Sequence, residues 1–401
     1  MRTVRAEANP IRARRAGCAV MRMSLDESVS SSALLARMLY ERMAEHYLPT
    51  ARQVSVALEV ADARELDCRF VLGETLTLSR ETAPADAAIT LTRDALAWAL
   101  AEPTLFDWRS EVFLAACQGR FQITGEYRIA YYLLQLLKRP DAAARAALAR
   151  ARSIAPAALA AVEVTPVCNR ASMLDAVLRS MPLHLRRVLD WPALQWDPAE
   201  WDARYGDTVV RAAVDGVQPL LLRDMLPLRE ASEARHADPS RNVPVYTDGC
   251  RLPDRLAPLF ALPCLPAASF SAAQLWSGRQ RGSTVTGLHC DIASSFLAQV
   301  RGRKKMRLYA PAQRDRLYAL DAFNSHQLCR VNADTPDLKR FPRFAEAQYA
   351  DVLLEPGDLL IVPTGWYHCA WALDDVLSVS RFMSDEVAQR LNDEACSSRH
   401  A

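Results

Sequence analysis

DVLLEPGDLLIVPTGWYHCAWALDDVLSVSRFM, residues 351–383, reads as three strands punctuated by the turns EPGD, PTGW and LDD. Strands this short, separated this regularly, argue for a β-barrel or a two-sheet jelly roll. His368 begins the strand after the Pro-Thr-Gly turn, where its imidazole can face the mouth of such a barrel. Taken alone, a histidine among Trp366, Tyr367 and Trp371 is more simply explained as a packed residue satisfied by backbone groups.

GLHCDIASSF, residues 287–296, changes that weighting. Positions i and i+2 of a strand point to the same side, so His289 and Asp291 can present an imidazole and a carboxylate to one point. A lone H-x-D pair is common and binds metal weakly. With His368 it completes two histidines and one carboxylate, the facial triad of non-haem Fe(II) oxygenases, which leaves room for a bidentate co-substrate and O2. Cys290 and Cys369 flank the set without being needed as ligands.

SFLAQVRGRKKMRLYAP, residues 295–311, reads as a hairpin turning at Gly302. Alternation puts Lys304, Met306, Leu308 and Ala310 on one face and Lys305, Arg307 and Tyr309 on the other. A lysine turned inward among apolar neighbours is costly unless it meets an anion. Lys304 is therefore the expected anchor for a keto-acid carboxylate, and the rest of the basic cluster is a solvated face.

WSGRQRGSTVTGLHCDIASSFLAQVRGRKKMRLYAP and LEPGDLLIVPTGWYHCAWAL together resemble the JmjC (cupin-like) family of Fe(II)/2-oxoglutarate oxygenases, and most of all its asparaginyl hydroxylase branch. PLHLRRVLDWPALQWDPAEWDARYGD (182–207) extends the likeness, which covers roughly residues 168–390. The resemblance implies a double-stranded β-helix that uses Fe(II), 2-oxoglutarate and O2. It also implies His289, Asp291 and His368 as metal ligands, with Thr286 and Lys304 holding the 2-oxoglutarate carboxylate. Two positions depart from the family pattern. Ser295 stands where an asparagine often follows the aspartate, and Arg381 falls where the last strand usually carries an asparagine. Both are expected to contact the co-substrate, and Trp276, Trp366 and Tyr367 to line the mouth unless they serve in packing. The implied activity is hydroxylation of a protein or peptide side chain, with release of succinate and CO2. Small-molecule, lipid or RNA-base hydroxylation, N-methyl-lysine demethylation and a non-catalytic cupin or lipid-binding protein stay open as alternatives.

Residues 24–140 read as a separate small α/β unit. SSALLARMLYERMAEHYL (31–48) has helical spacing, VSVALEV (54–60), CRFVLG (68–73) and AAITLT (87–92) alternate like strands, and RDALAWALAEP (93–103) returns to a helix. The further run FLAACQGRFQITGEYRIAYYLLQLLKRP (113–140) makes this unit similar to the sterol carrier protein type 2 family, whose members hold lipid in an apolar tunnel. Its His46 is expected to cap or pack. An apolar ligand, a substrate platform and a homodimer contact are all open for this domain. The Ala/Arg-rich stretch 141–167 is expected to be a helical linker between it and the oxygenase domain, 168–395. Residues 1–23 are Arg-rich without an apolar core and read as a disordered leader. The fold class is thus α+β.

Bulk properties narrow the setting. A net charge of +2 over 401 residues offers no concentrated basic face, so nucleic acid is not an expected partner. Ten cysteines without a C-x-x-C pair argue for reduced thiols and a cytoplasmic location. No apolar run is long enough for a membrane span.

Overall fold

A computed structural model describes residues 31–50, 52–79, 84–101, 121–211, 219–226, 246–247, 249–271, 273–278, 282–322, 326–384 and 387. The expected leader, 1–23, lies outside the described residues, as do 113–120 and the end of the oxygenase domain beyond 387.

The amino-terminal unit is a five-stranded sheet with helices against it. Its strands are β1 (Val54–Val60), β2 (Cys68–Leu72), β3 (Leu76–Ser79), β4 (Ala87–Leu91) and β5 (Phe121–Gly125), in the order β3-β2-β1-β4-β5. β1 buries every second residue, the period-2 pattern of a sheet with one covered face. Helices α1 (Ser31–Ala44), α2 (Arg93–Ala101) and α3 (Tyr127–Gln135) accompany it, and Leu39, Met43, Leu133 and Leu134 join Val56, Phe70 and Ile89 in one core. Gly125, at φ +75°, makes the turn into α3, where a β-carbon would run into the Asp86 carbonyl. His46 packs, as expected: burial first, then the Arg139 guanidinium, pushes its imidazole down to about 4.

The stretch expected as a linker is part of the folded body. α4 (Ala142–Ile154) is capped by Asp141, whose carboxylate accepts from Ala144 N at 2.7 Å. It buries Ala144, Leu148 and Ala151 along one stripe. Ala151 lies so close to Gly365 that a β-carbon there would sit 3.0 Å from the alanine's own. β6 (Glu163–Thr165) already belongs to the large sheet of the second domain, in parallel with β7 (Leu183–Leu185) beyond α5 (Arg170–Leu178). That sheet therefore begins before residue 168.

The second domain is a two-sheet jelly roll. After α6 (Pro198–Tyr205) and the short pair β8 (Val209–Arg211) and β9 (Leu220–Leu221) come β10 (Cys250–Arg251), β11 (Gln274–Gly278), β12 (Thr286–Asp291), β13 (Ser295–Arg301), β14 (Lys304–Tyr309) and β15 (His326–Leu328). β16 (Ala350–Leu354), β17 (Leu359–Val362), β18 (Tyr367–Ala372) and β19 (Val376–Phe382) complete it, so the stretch from 351 supplies four strands where three were expected. The sheets run β10-β11-β19-β13-β17-β7-β6 and β15-β12-β18-β14-β16. From β11 to β14, and again from β16 to β19, the polypeptide switches sheet at every turn. The expected 295–311 hairpin is accordingly a crossover: β13 pairs with β17 and β19, and β14 pairs with β16 and β18. Gly302, at φ +65°, permits that change of sheet.

One buried polar pair fixes a crossover behind the site. Asp358, in the EPGD turn, accepts from His184 at 2.8 Å, from Arg187 N at 2.9 Å and from Glu355 N at 3.0 Å. Burial alone would push the Asp358 carboxyl up; the three hydrogen bonds bring it below its usual value. Asp358→Ala leaves buried donors without their acceptor and is expected to destabilise the protein by about 3–5 kcal/mol in urea unfolding. Because the folded carboxyl titrates below its ordinary 3.8, its contribution is complete above that value. It is lost as the pH falls through the lower folded value, so the gap between wild type and variant should narrow in acid.

Candidate metal centre

The site is built by the antiparallel pairing of β12 with β18. His289 lies directly opposite His368, and Thr286 opposite Ala370. Thr286 and His289 are three positions apart on one strand, while their partners are only two apart on the other, so β12 carries a bulge. Without it, residues three apart would face opposite sides. With it, Thr286, His289 and Asp291 all line the same cavity as His368 and Ala370. The turn before β18 is tied to the same place, since Gly365 N donates to Asp291 O at 2.9 Å.

His289, Asp291 and His368 are all buried, and one ligand atom from each falls within 4.8 Å of the others. His368 Nε2 is 3.7 Å from Asp291 Oδ2, and the two imidazole centroids are 4.3 Å apart. Each ring is oriented by a carbonyl two residues earlier: His289 Nδ1 lies 2.8 Å from Gly287 O, and His368 Nδ1 lies 3.0 Å from Trp366 O. A carbonyl oxygen can only accept, so Nδ1 carries the hydrogen and Nε2 keeps its lone pair for a metal. A buried carboxylate between two such nitrogens suits a divalent cation, and Fe(II) is the one this donor set takes in oxygenases.

The cavity lies between the sheets. The small sheet contributes the triad with Thr286, Lys304, Met306 and Ala370, and the large sheet contributes Trp276, Ser295, Leu297, Val362, Ser380 and Phe382. Lys304 points inward, as the alternation of β14 required, while Lys305 stacks over Trp371 at 3.9 Å and Arg307 pairs with Asp351 at 2.7 Å on the outer face. Lys304 is 2% exposed, and its Nζ donates to Tyr246 Oη at 3.0 Å. Burial pushes its ammonium down to about 7.

Of the expected site residues, the structure brings together His289, Asp291, His368, Thr286, Lys304, Ser295 and Trp276. It does not bring Arg381, Trp366 or Tyr367. Arg381 faces the other side of β19, where its guanidinium donates to Phe260 O at 3.3 Å. Its neighbours Ser380 and Phe382 face the cavity instead, and Ser380 Oγ accepts from Trp276 Nε1 at 2.8 Å. Trp366 is buried, with its indole donating to Ser180 O at 3.0 Å. Tyr367 faces away from its neighbour His368, into the core under the small sheet. Sequence reasoning missed Tyr246. It sits in VPVYTDG, which carries no motif, and only folding brings it to Lys304. Ser380 and Phe382 were legible from strand alternation once Arg381 was placed outside.

Titration with Mn(II), a redox-stable probe for Fe(II), is expected to show one bound ion in the wild-type protein. His289→Ala or His368→Ala should weaken it by more than the roughly 10- to 100-fold that loss of an outer partner costs. Unchanged affinity in both variants would remove the metal assignment.

Comparison with known proteins agrees with this geometry. Residues 229–388 match the family described as the cupin-like domain. The protein is 38% identical over 121 residues to lysine-specific demethylase 8 of Xenopus tropicalis, covering 30% of this chain and 27% of that protein. It is 31% identical over 155 residues to tRNA wybutosine-synthesizing protein 5 of Danio rerio, covering 39% of this chain and 43% of that protein. It is 34% identical over 113 residues to human HSPB1-associated protein 1, covering 28% of this chain and 23% of that protein. The match thus spans less than half the length of each of these relatives. The match, the jelly roll and the buried triad agree in making residues 229–388 similar to a cupin-like domain.

Proposed function

We propose that this protein is an Fe(II)- and 2-oxoglutarate-dependent dioxygenase that hydroxylates a C–H bond in a side chain of a protein or peptide, releasing succinate and CO2. The observation that carries this reading is the convergence of the His289–Asp291–His368 set and a buried lysine, Lys304, on one cavity. Bound Fe(II) would supply O2 activation coupled to oxidative decarboxylation of 2-oxoglutarate. The protein's own residues bind, orient and exclude water. His289 and His368, through Nε2, and Asp291 would hold the ion. Lys304, with Tyr246 beside it and Thr286 in the same cavity, would receive the distal carboxylate of 2-oxoglutarate. Leu297, Met306, Val362 and Phe382 would keep water from that carboxylate, and Trp276, held by Ser380, would wall the side towards the substrate.

A peptide side chain is favoured by the cavity wall, where, among the described residues, the only carboxylate is Asp291 and the only cation is Lys304. RNA-base hydroxylation is the second reading, and the likeness to a protein named for tRNA wybutosine synthesis favours it. The amino-terminal domain rests on the oxygenase domain close to the metal strand. Leu320, Ala322 and Leu328 join its core, and β15, which carries Leu328, pairs with β12. That placement supports a role in presenting substrate, whether a peptide or an apolar ligand. No disulfide joins the seven cysteines among the described residues, which suits the cytoplasm. Among the described residues, no helix is long and apolar enough to cross a membrane.

Two measurements test the reading. The purified protein should convert 2-oxoglutarate to succinate only with Fe(II), and Asp291→Ala should lower that turnover by at least about 100-fold. Iron-independent turnover, or equal turnover by the variant, would sink it. Candidate peptides and RNAs incubated in parallel should separate the two readings by which of them gains one oxygen atom in mass. The second measurement follows from Lys304. Its ammonium is half-neutral near pH 7 in the free protein, so a bound carboxylate must draw in a proton above that pH. Affinity for 2-oxoglutarate should therefore fall from about pH 7 to about pH 9, by up to about tenfold per unit. Lys304→Arg should flatten the fall, because its guanidinium stays charged. A pH-independent affinity in the wild type would contradict the anchor.

A further inference from the structure

Two cysteines outside the metal site lie side by side although 96 positions separate them in sequence. Cys168 Sγ and Cys264 Sγ are 3.7 Å apart. Cys168 precedes Asn169, the residue that caps α5, and packs partly buried with its sulfur 3.8 Å from Met173 Sδ. Cys264 is exposed and lies between the short turns Ala257–Phe260 and Ala267–Ser269, on the segment leading to β11. Its backbone is held at φ +65°, in the left-handed region that a residue with a β-carbon rarely takes. Its thiol reaches back to Cys168 O at 3.5 Å. A disulfide needs the sulfurs about 2.05 Å apart, and these two already lie in contact.

We infer that Cys168 and Cys264 form a reversible dithiol–disulfide site that reacts with low-molecular-weight disulfides of the glutathione type. The Cys264 thiolate attacks one sulfur of the external disulfide, whose S–S bond breaks and releases one small thiol. Cys168, deprotonated, then attacks the Cys264 sulfur of the mixed disulfide, and the second small thiol leaves. Two protein thiols lose two electrons and two protons, and the external disulfide is reduced to two thiols. The order follows from access. Cys264 is exposed and meets the external disulfide first, whereas Cys168 is partly buried beside it and acts as the resolving partner. The closed form staples the start of α5 to the segment before β11, the strand that carries Trp276. This inference stands apart from the oxygenase reading, since it uses none of that site's residues.

The test is thiol mapping on the full-length protein equilibrated in glutathione buffers from reducing to oxidising, natively and in urea. Differential alkylation, proteolysis and mass spectrometry should find the Cys168 and Cys264 peptides cross-linked with the loss of two hydrogens, and the buried Cys290, Cys329 and Cys369 still reduced. The cross-link should form at least about tenfold more readily in the native protein than in urea, because the fold holds the thiols together. Cys264→Ser should abolish it, and Cys168→Ser should trap a glutathione adduct on Cys264. A persistent glutathione adduct on Cys264 in the wild type, or a cross-link formed equally well in urea, would overturn the inference. So would uptake of a soft metal such as Cu(I) by the pair in place of the cross-link under oxidising conditions.

Discussion

The pairing of β12 with β18 is the constraint on which the rest of the site depends. Cross-strand register sets His289 opposite His368, and the period of two adds Asp291 on the same face. A single extra residue around Gly287 and Leu288 then turns Thr286 to that face as well. A one-residue slip of this pairing would send all of these groups to the outer side, where Cys290, Tyr367 and Cys369 now pack. The register is held from several directions: by the bond from Gly365 N to Asp291 O, by α4 pressing on Gly365, and by β14 and β15 on the far edges of the two strands.

Charge is admitted to this interior at few points, and each is handled differently. Asp358 and His184 satisfy one another and the adjoining backbone, so their pair works as a structural clamp on a crossover. Lys304 has a phenol as its hydrogen-bond neighbour, and burial alone lowers its affinity for the proton. A lysine in that condition is stabilised by an incoming anion and becomes more fully charged as the anion binds. The triad has the opposite polarity: two lone pairs and a carboxylate converge where a cation fits. A donor set suited to a cation and a buried lysine suited to an anion therefore share one cavity, the arrangement that the proposed chelating keto-acid would require.

Much of this was legible in the sequence because it rests on short-range periodicity. Alternation in β14 placed Lys304 inside and Lys305 and Arg307 outside, and the H-x-D spacing placed two ligands on one face. The misreadings concern long-range pairing, which local pattern does not encode. Residues 295–311 look like a hairpin because Gly302 makes a tight turn, yet each arm pairs with later strands from a different sheet. Position along the motif puts Arg381 in the site, yet its side chain lies between those of the inward-facing Ser380 and Phe382 and points the other way. Trp366 and Tyr367 flank a ligand in sequence, but burial and strand alternation direct them elsewhere. The stretch 141–167 looked like a connector because it is poor in large apolar residues. Small residues are what allow α4 to approach Gly365 closely, and β6 joins the sheet through its backbone.

On the proposed reading, His289, Asp291 and His368 would hold an iron that 2-oxoglutarate chelates in the same cavity. Anaerobic visible spectroscopy tests it most directly, because a 2-oxo acid chelated to Fe(II) gives a charge-transfer absorption that neither component shows alone. The account predicts this band for the wild-type protein on adding Fe(II) and 2-oxoglutarate, and its loss in His368→Ala. No band in the wild type, or an unchanged band in His368→Ala, would contradict it.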